Sequence, residues 1–210
     1  MQAFWASNTY LRSSYSQAGE DTIIWKGIRS IDPKGMGYVD VGAYHPTFIS
    51  NTYLLYRKGW QGVVVEPNIE SCMLFRRYRP KDVVMNAGVG SAPGVMHYVR
   101  KVSPSSNYLM PHSADYDSAE LVSISTVDDL VWAMDYKYIV LMSIDTEGME
   151  KEVLIGAKET LKRTLYLCIE TNNNKAYEME LLKLVPSEYE IVGRTIYNTI
   201  LLNKEVEAVL

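Results

Sequence analysis

Apolar positions along the chain follow two alternating periods. Short β-branched and apolar runs closed by Gly, Pro or Asn predict strands over residues 37–43, 62–66, 82–89, 95–99, 121–124, 138–145, 164–170, 189–194 and 199–202. Between most of them, apolar residues recur at spacings of three and four, which predicts amphipathic helices over 51–58, 69–78, 127–134, 150–161 and 176–184. Such alternation builds a mainly parallel sheet with helices on both faces. The last two strands differ, because only residues 195–198 separate them. That is too short for a parallel crossover, so they form an antiparallel hairpin at a sheet edge. The longest stretch with neither period is 100–119, rich in Ser, Pro and Tyr. A loop of that length inside a compact domain is usually a lid or a binding loop.

At 210 residues the chain is read as one domain over 1–210, with 1–30 as a cover segment. With 47% apolar and 22% charged residues it has the composition of an ordinary globular protein. The N-terminal MQAFWASNTYLRSSYSQ has no basic start followed by an apolar core, and no apolar run approaches the roughly 18 residues of a membrane span. A soluble, cytoplasmic protein without membrane contact is expected. Cys72 and Cys168 fall in apolar segments and form no C-x-x-C pair, so a zinc site or disulfide is not expected. A net charge of -4 and a pI near 5.5 give no field to attract nucleic acid. The one basic cluster, Arg76, Arg77, Arg79 and Lys81, reads as a helix C-terminus, where cations offset the dipole.

Candidate chemistry gathers at strand ends. In Tyr38-Val39-Asp40-Val41-Gly42-Ala43, Asp40 and Gly42 sit at a carboxyl edge, where doubly wound sheets bind ligands. Gly42 would let a ligand approach the backbone, and Asp40 could meet a cationic ligand group. The local alternative is a tight turn at Gly42 and a helix cap at Asp40. Val63-Val64-Val65 is followed by Glu66, the position from which an acid accepts ribose hydroxyls in nucleotide-binding units. The turn Gly42-Ala43-Tyr44-His45-Pro46-Thr47 lacks G-x-G-x-x-G, and no G-x-x-x-x-G-K-[ST] occurs. A ribose-binding acid without a phosphate cradle suits a nucleoside ligand such as S-adenosylmethionine.

These residues, with Ser16-Gln17-Ala18-Gly19-Glu20-Asp21, Ser50-Asn51-Thr52, Gly59-Trp60, Glu66-Pro67-Asn68 and Ile144-Asp145-Thr146-Glu147-Gly148-Met149-Glu150, resemble the FkbM family of methyltransferases in order and spacing. The resemblance implies a Rossmann-like class I methyltransferase fold, a mostly parallel seven-stranded sheet ending in the antiparallel hairpin. It also implies contacts to S-adenosylmethionine from Gln17, Asp40, Gly42 and Glu66, with the adjoining Ala43 and Pro67, and from Asn86. The acceptor would be a hydroxyl of a saccharide or small secondary metabolite. Its proton could pass to Asp145, Glu147 or His45. Asp145 could instead cap the helix starting near Gly148, and His45 could orient its own loop. Asp145, Glu170 and Asn172 form an oxygen set suited to Mg²⁺, resembling the metal positions of catechol-type O-methyltransferases, although Glu170 replaces an aspartate and Asn172 is displaced by one residue. Tyr108 and Tyr116 are candidate sugar-stacking residues. The rival readings are N-methylation of a small amine and a non-catalytic nucleoside- or protein-binding module.

Overall fold

Along the described residues, 14–100, 107–110 and 120–210 of a computed structural model, the apolar runs fold as strands. In chain order these are β1 (Met36–Val41), β2 (Gly62–Val65), β3 (Val83–Met85), β4 (Gly88–Val89), β5 (Gly94–Val99), β6 (Tyr108–Met110), β7 (Glu120–Ser125), β8 (Tyr138–Ile144), β9 (Thr164–Glu170), β10 (Tyr189–Arg194) and β11 (Asn198–Asn203). The helices are α1 (Glu20–Ile28), α2 (Tyr53–Arg57), α3 (Ile69–Tyr78), α4 (Val127–Trp132), α5 (Glu150–Ile155), α6 (Lys158–Leu161), α7 (Lys175–Leu182) and α8 (Lys204–Glu207). A seven-stranded sheet runs β10-β11-β9-β8-β1-β2-β3, parallel from β9 to β3 and antiparallel through the β10–β11 hairpin. This is the mostly parallel seven-stranded sheet ending in an antiparallel hairpin that the sequence reading expects.

Because side chains alternate across a strand, each central strand feeds two cores. Val39, Val41, Val63, Val65, Met142, Ile144, Leu167 and Ile169 face α4 to α7, while Tyr38, Leu141, Tyr166, Cys168 and Ile200 face α1, α2 and α8. Burial on both sides is why β8 and β9 read as nearly continuous apolar runs. Helix starts are fixed locally: the side-chain oxygens of Asn68, Thr126 and Asn174 accept from backbone N–H groups of the first turns of α3, α4 and α7. Among the described residues, no helix is long and apolar enough to cross a membrane.

Four elements depart from the sequence reading. The strand expected over 82–89 breaks after Met85, where the Asn86 amide donates to the carbonyls of Glu66 and Pro67. Gly88–Val89 then joins a second, four-stranded sheet, β4-β7-β5-β6, which the linear pattern did not separate from the first. The helix expected over 150–161 is two short helices joined at Gly156, whose missing Cβ would lie 2.2 Å from the Gly90 carbonyl oxygen. Within the supposed cover segment, α1 is a core helix, with Ile24 and Ile28 fully buried. Of the loop expected over 100–119, residues 108–110 pair with β5 as a strand. Tyr116 and the rest of residues 101–106 and 111–119 lie outside the described residues.

Candidate active site

The carboxyl ends of β1, β2, β8 and β9 open into a cavity of about 300 Å³, roofed by residues of the four-stranded sheet and the 195–197 turn. That volume is at the small end of the range for ligand pockets. Gln17, Gly42, Glu66, Pro67, Asp145 and Glu170 all line it. Gln17 is delivered by a tied-down segment. Asp21 accepts hydrogen bonds from Ser14, Ser16 and the Tyr15 N–H, and Glu20 accepts from Thr195 and Asn198 near the hairpin.

Glu66 is buried, and its two carboxylate oxygens accept from different backbone donors, the Tyr44 N–H at 2.9 Å and the Asn68 N–H at 2.7 Å. A carboxylate oxygen can accept more than one hydrogen bond, so the orientation is fixed while acceptor capacity remains toward the cavity. Burial pushes the carboxyl up to about 6, against the two hydrogen bonds, which favour the anion.

At the opposite end, Asp145, Glu147 and Glu170 bring carboxylate oxygens within 4.8 Å of one another. Asp145 and Glu170 are both held above the ordinary carboxyl range, first by burial and then by neighbouring acids. Like charges this close share a proton more readily than they both ionise. The loop carrying two of these acids is shaped by a fourth. Glu150 is buried, and one of its oxygens accepts from the N–H and hydroxyl of Thr146 and from the Gly148 N–H, while the other accepts from Tyr177. That anchor stabilises left-handed backbone at Glu147 (φ 56°) and Gly148 (φ 109°).

A sequence model of the methyltransferase FkbM domain matches residues 40–193, well over half of the chain. The chain belongs to the FkbM methyltransferase domain family. No curated protein matched it. Two solved structures are similar to this FkbM domain. One is methyltransferase FkbM from Methylobacillus flagellatus KT, with 18% identity and a TM-score of 0.49, covering 79% of this chain and 42% of that one. The other is monomeric WbdD, with 12% identity and a TM-score of 0.46, covering 95% and 42%. The FkbM domain thus spans less than half the length of either.

Several residues singled out in the sequence stand elsewhere in the FkbM domain. Asp40 does not line the cavity: the pleat that directs Val41 toward it turns Asp40 to the opposite face, where it accepts from Thr52 and Ser143. Ala43 packs against Val64 and Phe75 behind the wall. His45 accepts from the Thr47 N–H, rests beside Tyr44 and Phe48, and orients its own loop outside the cavity lining. Asn86 braces the Glu66-Pro67 turn from outside the cavity. Asn172 lines the cavity as a hydrogen-bond partner of Glu170, and it is Glu147 whose carboxylate joins Asp145 and Glu170. Asp145 is no helix cap, since α5 begins at Glu150 without a side-chain cap. Arg76 and Arg77 lie in the last turn of α3 and Arg79 is its C-cap, as the sequence reading expects, but the Arg79 side chain is fully buried. The sequence reading left out the wall residues Tyr44, Tyr98, Asn107, Leu109 and Tyr197, which come from separate segments with no shared spacing.

Proposed function

We propose that this domain binds S-adenosylmethionine and directs its methyl group to a hydroxyl of a saccharide or small metabolite. The observation that carries the reading is Glu66, a buried carboxylate at the end of β2, clamped by two N–H groups and facing a cavity that reaches Gly42. Such an acid suits the two ribose hydroxyls, and Ala87 and Leu109 beyond it offer an apolar flank for the base. When bound, the donor supplies an electrophilic methyl group and leaves as a neutral thioether. The chain's own contribution is to position the acceptor and to take its proton, for which the Asp145–Glu170 pair is the candidate acceptor. Tyr98, Tyr108 and Tyr197 give the remaining wall faces and hydroxyls that suit a polyol.

Calorimetric titration with S-adenosylhomocysteine tests the donor half. Glu66→Ala removes charge-assisted hydrogen bonds worth about 1.5–3 kcal/mol each, so affinity should fall by at least roughly 100-fold with the fold intact by circular dichroism. The same loss is expected in EDTA and in Mg²⁺, because the ribose contact does not involve the carboxylates of β8 and β9. Full-strength binding by Glu66→Ala, or none by the wild type, would sink the reading.

The pH dependence has a definite sign. Ribose hydroxyls donate more strongly to the carboxylate than to the acid, so binding favours ionised Glu66 and weakens as pH falls through about 6. Affinity for S-adenosylhomocysteine at pH 5 should be about tenfold below that at pH 7.5. A flat profile would show that Glu66 is not the ribose contact.

A further inference from the structure

The ribose contact uses one end of the cavity, and the other end is acidic beyond what one proton acceptor requires. Asp145, Glu147 and Glu170 all line it, with oxygens within 4.8 Å of one another. No Lys, Arg or His lines the cavity among the described residues. Strand order places these acids relative to Glu66: β2, β1, β8 and β9 are consecutive neighbours. At about 4.8 Å per strand, Glu170 lies roughly 14 Å along the sheet edge from Glu66. The base and the sulfur-bearing arm of an adenosyl ligand leave the ribose from opposite sides. With the base toward Ala87 and Leu109, the arm runs toward β8 and β9.

We propose that Asp145, Glu147 and Glu170 recognise the positive charge of the methylated donor, so that the domain holds the sulfonium more tightly than the thioether left after transfer. This rests on the donor reading above. The carboxylates act at short range in a partly enclosed site, where a charge pair counts for more than it does in bulk water. The methionine ammonium cannot produce such a preference, because both donor and product carry it. The sulfonium is the only charge that differs between them. The acidic wall thereby favours exchange of spent product for fresh donor without a change in protein conformation.

The test is calorimetric titration in EDTA, so that no divalent ion masks the carboxylates, with three ligands. These are S-adenosylmethionine, S-adenosylhomocysteine and sinefungin, whose protonated amine replaces the methylated sulfonium. The wild type should bind both cationic ligands about tenfold or more tightly than the thioether, a difference of about 1.4 kcal/mol or more. In the Glu147→Gln/Glu170→Gln double variant that preference should drop to about threefold or less, whatever change in affinity the cationic ligands and the thioether share. Should the double variant fail to fold, Glu147→Gln alone, at an exposed position, should still lower the preference measurably. Equal wild-type affinities, or a preference that survives the substitutions, overturn the inference while leaving the donor site standing. Failure of all three ligands to bind overturns the donor reading and this inference with it.

Discussion

Arg79→Met is expected to lower the stability of this domain by about 3–5 kcal/mol at pH 7, the usual cost of removing one partner from a buried charge pair. The Arg79 and Asp82 side chains are wholly inaccessible to solvent, joined through Nε at 2.7 Å. The remaining guanidinium nitrogens donate to Tyr38 at 2.7 Å, Thr52 at 3.0 Å, Ser50 at 3.3 Å and the Pro46 carbonyl at 3.4 Å. The rings of Tyr38, Tyr56 and Phe75 surround it. Methionine would fill much of the space but satisfy none of these acceptors. It would also leave Asp82 and nearby Asp40 as buried acids without their cation. Burial already raises both carboxyls, and Arg79 opposes that rise. Removing it lifts their folded-state values further above those of the unfolded chain. Groups raised in this way stabilise at low pH and lose that contribution as pH rises through the folded value. The deficit of the variant should therefore be smaller at pH 5 than at pH 7 in urea denaturation. A variant as stable as the wild type at both values would show that the network is dispensable.

The same network explains what could and could not be read from the sequence. Strands β1, β2, β8 and β9 were legible because buried parallel strands leave continuous apolar runs. Glu66 was legible because it follows such a run directly. Asp40 reads as a site residue by its distance from Gly42, but the two-residue pleat governs where it points: Val39 and Val41 on either side take the opposite face, and Val41 lines the cavity. Arg79 looks like a helix-end cation because a local window shows only its basic neighbours. Apart from Asp82, its hydrogen-bond partners lie 27 to 41 positions away, in β1 and in the loop before α2. That distance is beyond any periodicity. The carboxylate cluster was largely legible: the carboxyl edge nominated Asp145 and Glu147 as proton acceptors and Asp145 and Glu170 as an oxygen set, whereas the left-handed turn anchored by Glu150 that brings Glu147 against the other two is not specified by residue types alone.

Gly42 was expected to let a ligand approach the backbone or to make a tight turn; it lines the cavity, and the structure gives a further reason for its lack of a side chain. Its φ is +74°, and a Cβ built there would lie 1.8 Å from the Asp145 carbonyl oxygen and 2.8 Å from the Asp145 carbonyl carbon. This is backbone, with no flexible end to swing aside. The two strand ends are also bonded to their neighbours at this level, Gly42 N–H to the Val65 carbonyl and Asp145 N–H to the Val41 carbonyl, both at 3.0 Å. Gly42→Ala must therefore strain a left-handed residue, at about 1–2 kcal/mol, and separate β1 from β8, at about 1–3 kcal/mol as overpacking. A loss of about 2–5 kcal/mol in stability is expected, readable as a lowered urea midpoint with an unchanged slope. Asp145 moves with its carbonyl, so the spacing between Glu66 and the acids of β8 and β9 changes too. Binding of S-adenosylhomocysteine should weaken by more than about tenfold even where the variant is fully folded, because ligand contacts depend on positions held to within about 1 Å. Were ligand proximity the sole reason for glycine here, affinity would fall and stability would not. Loss of both in parallel is the outcome that ties the donor site to the β1–β8 seam.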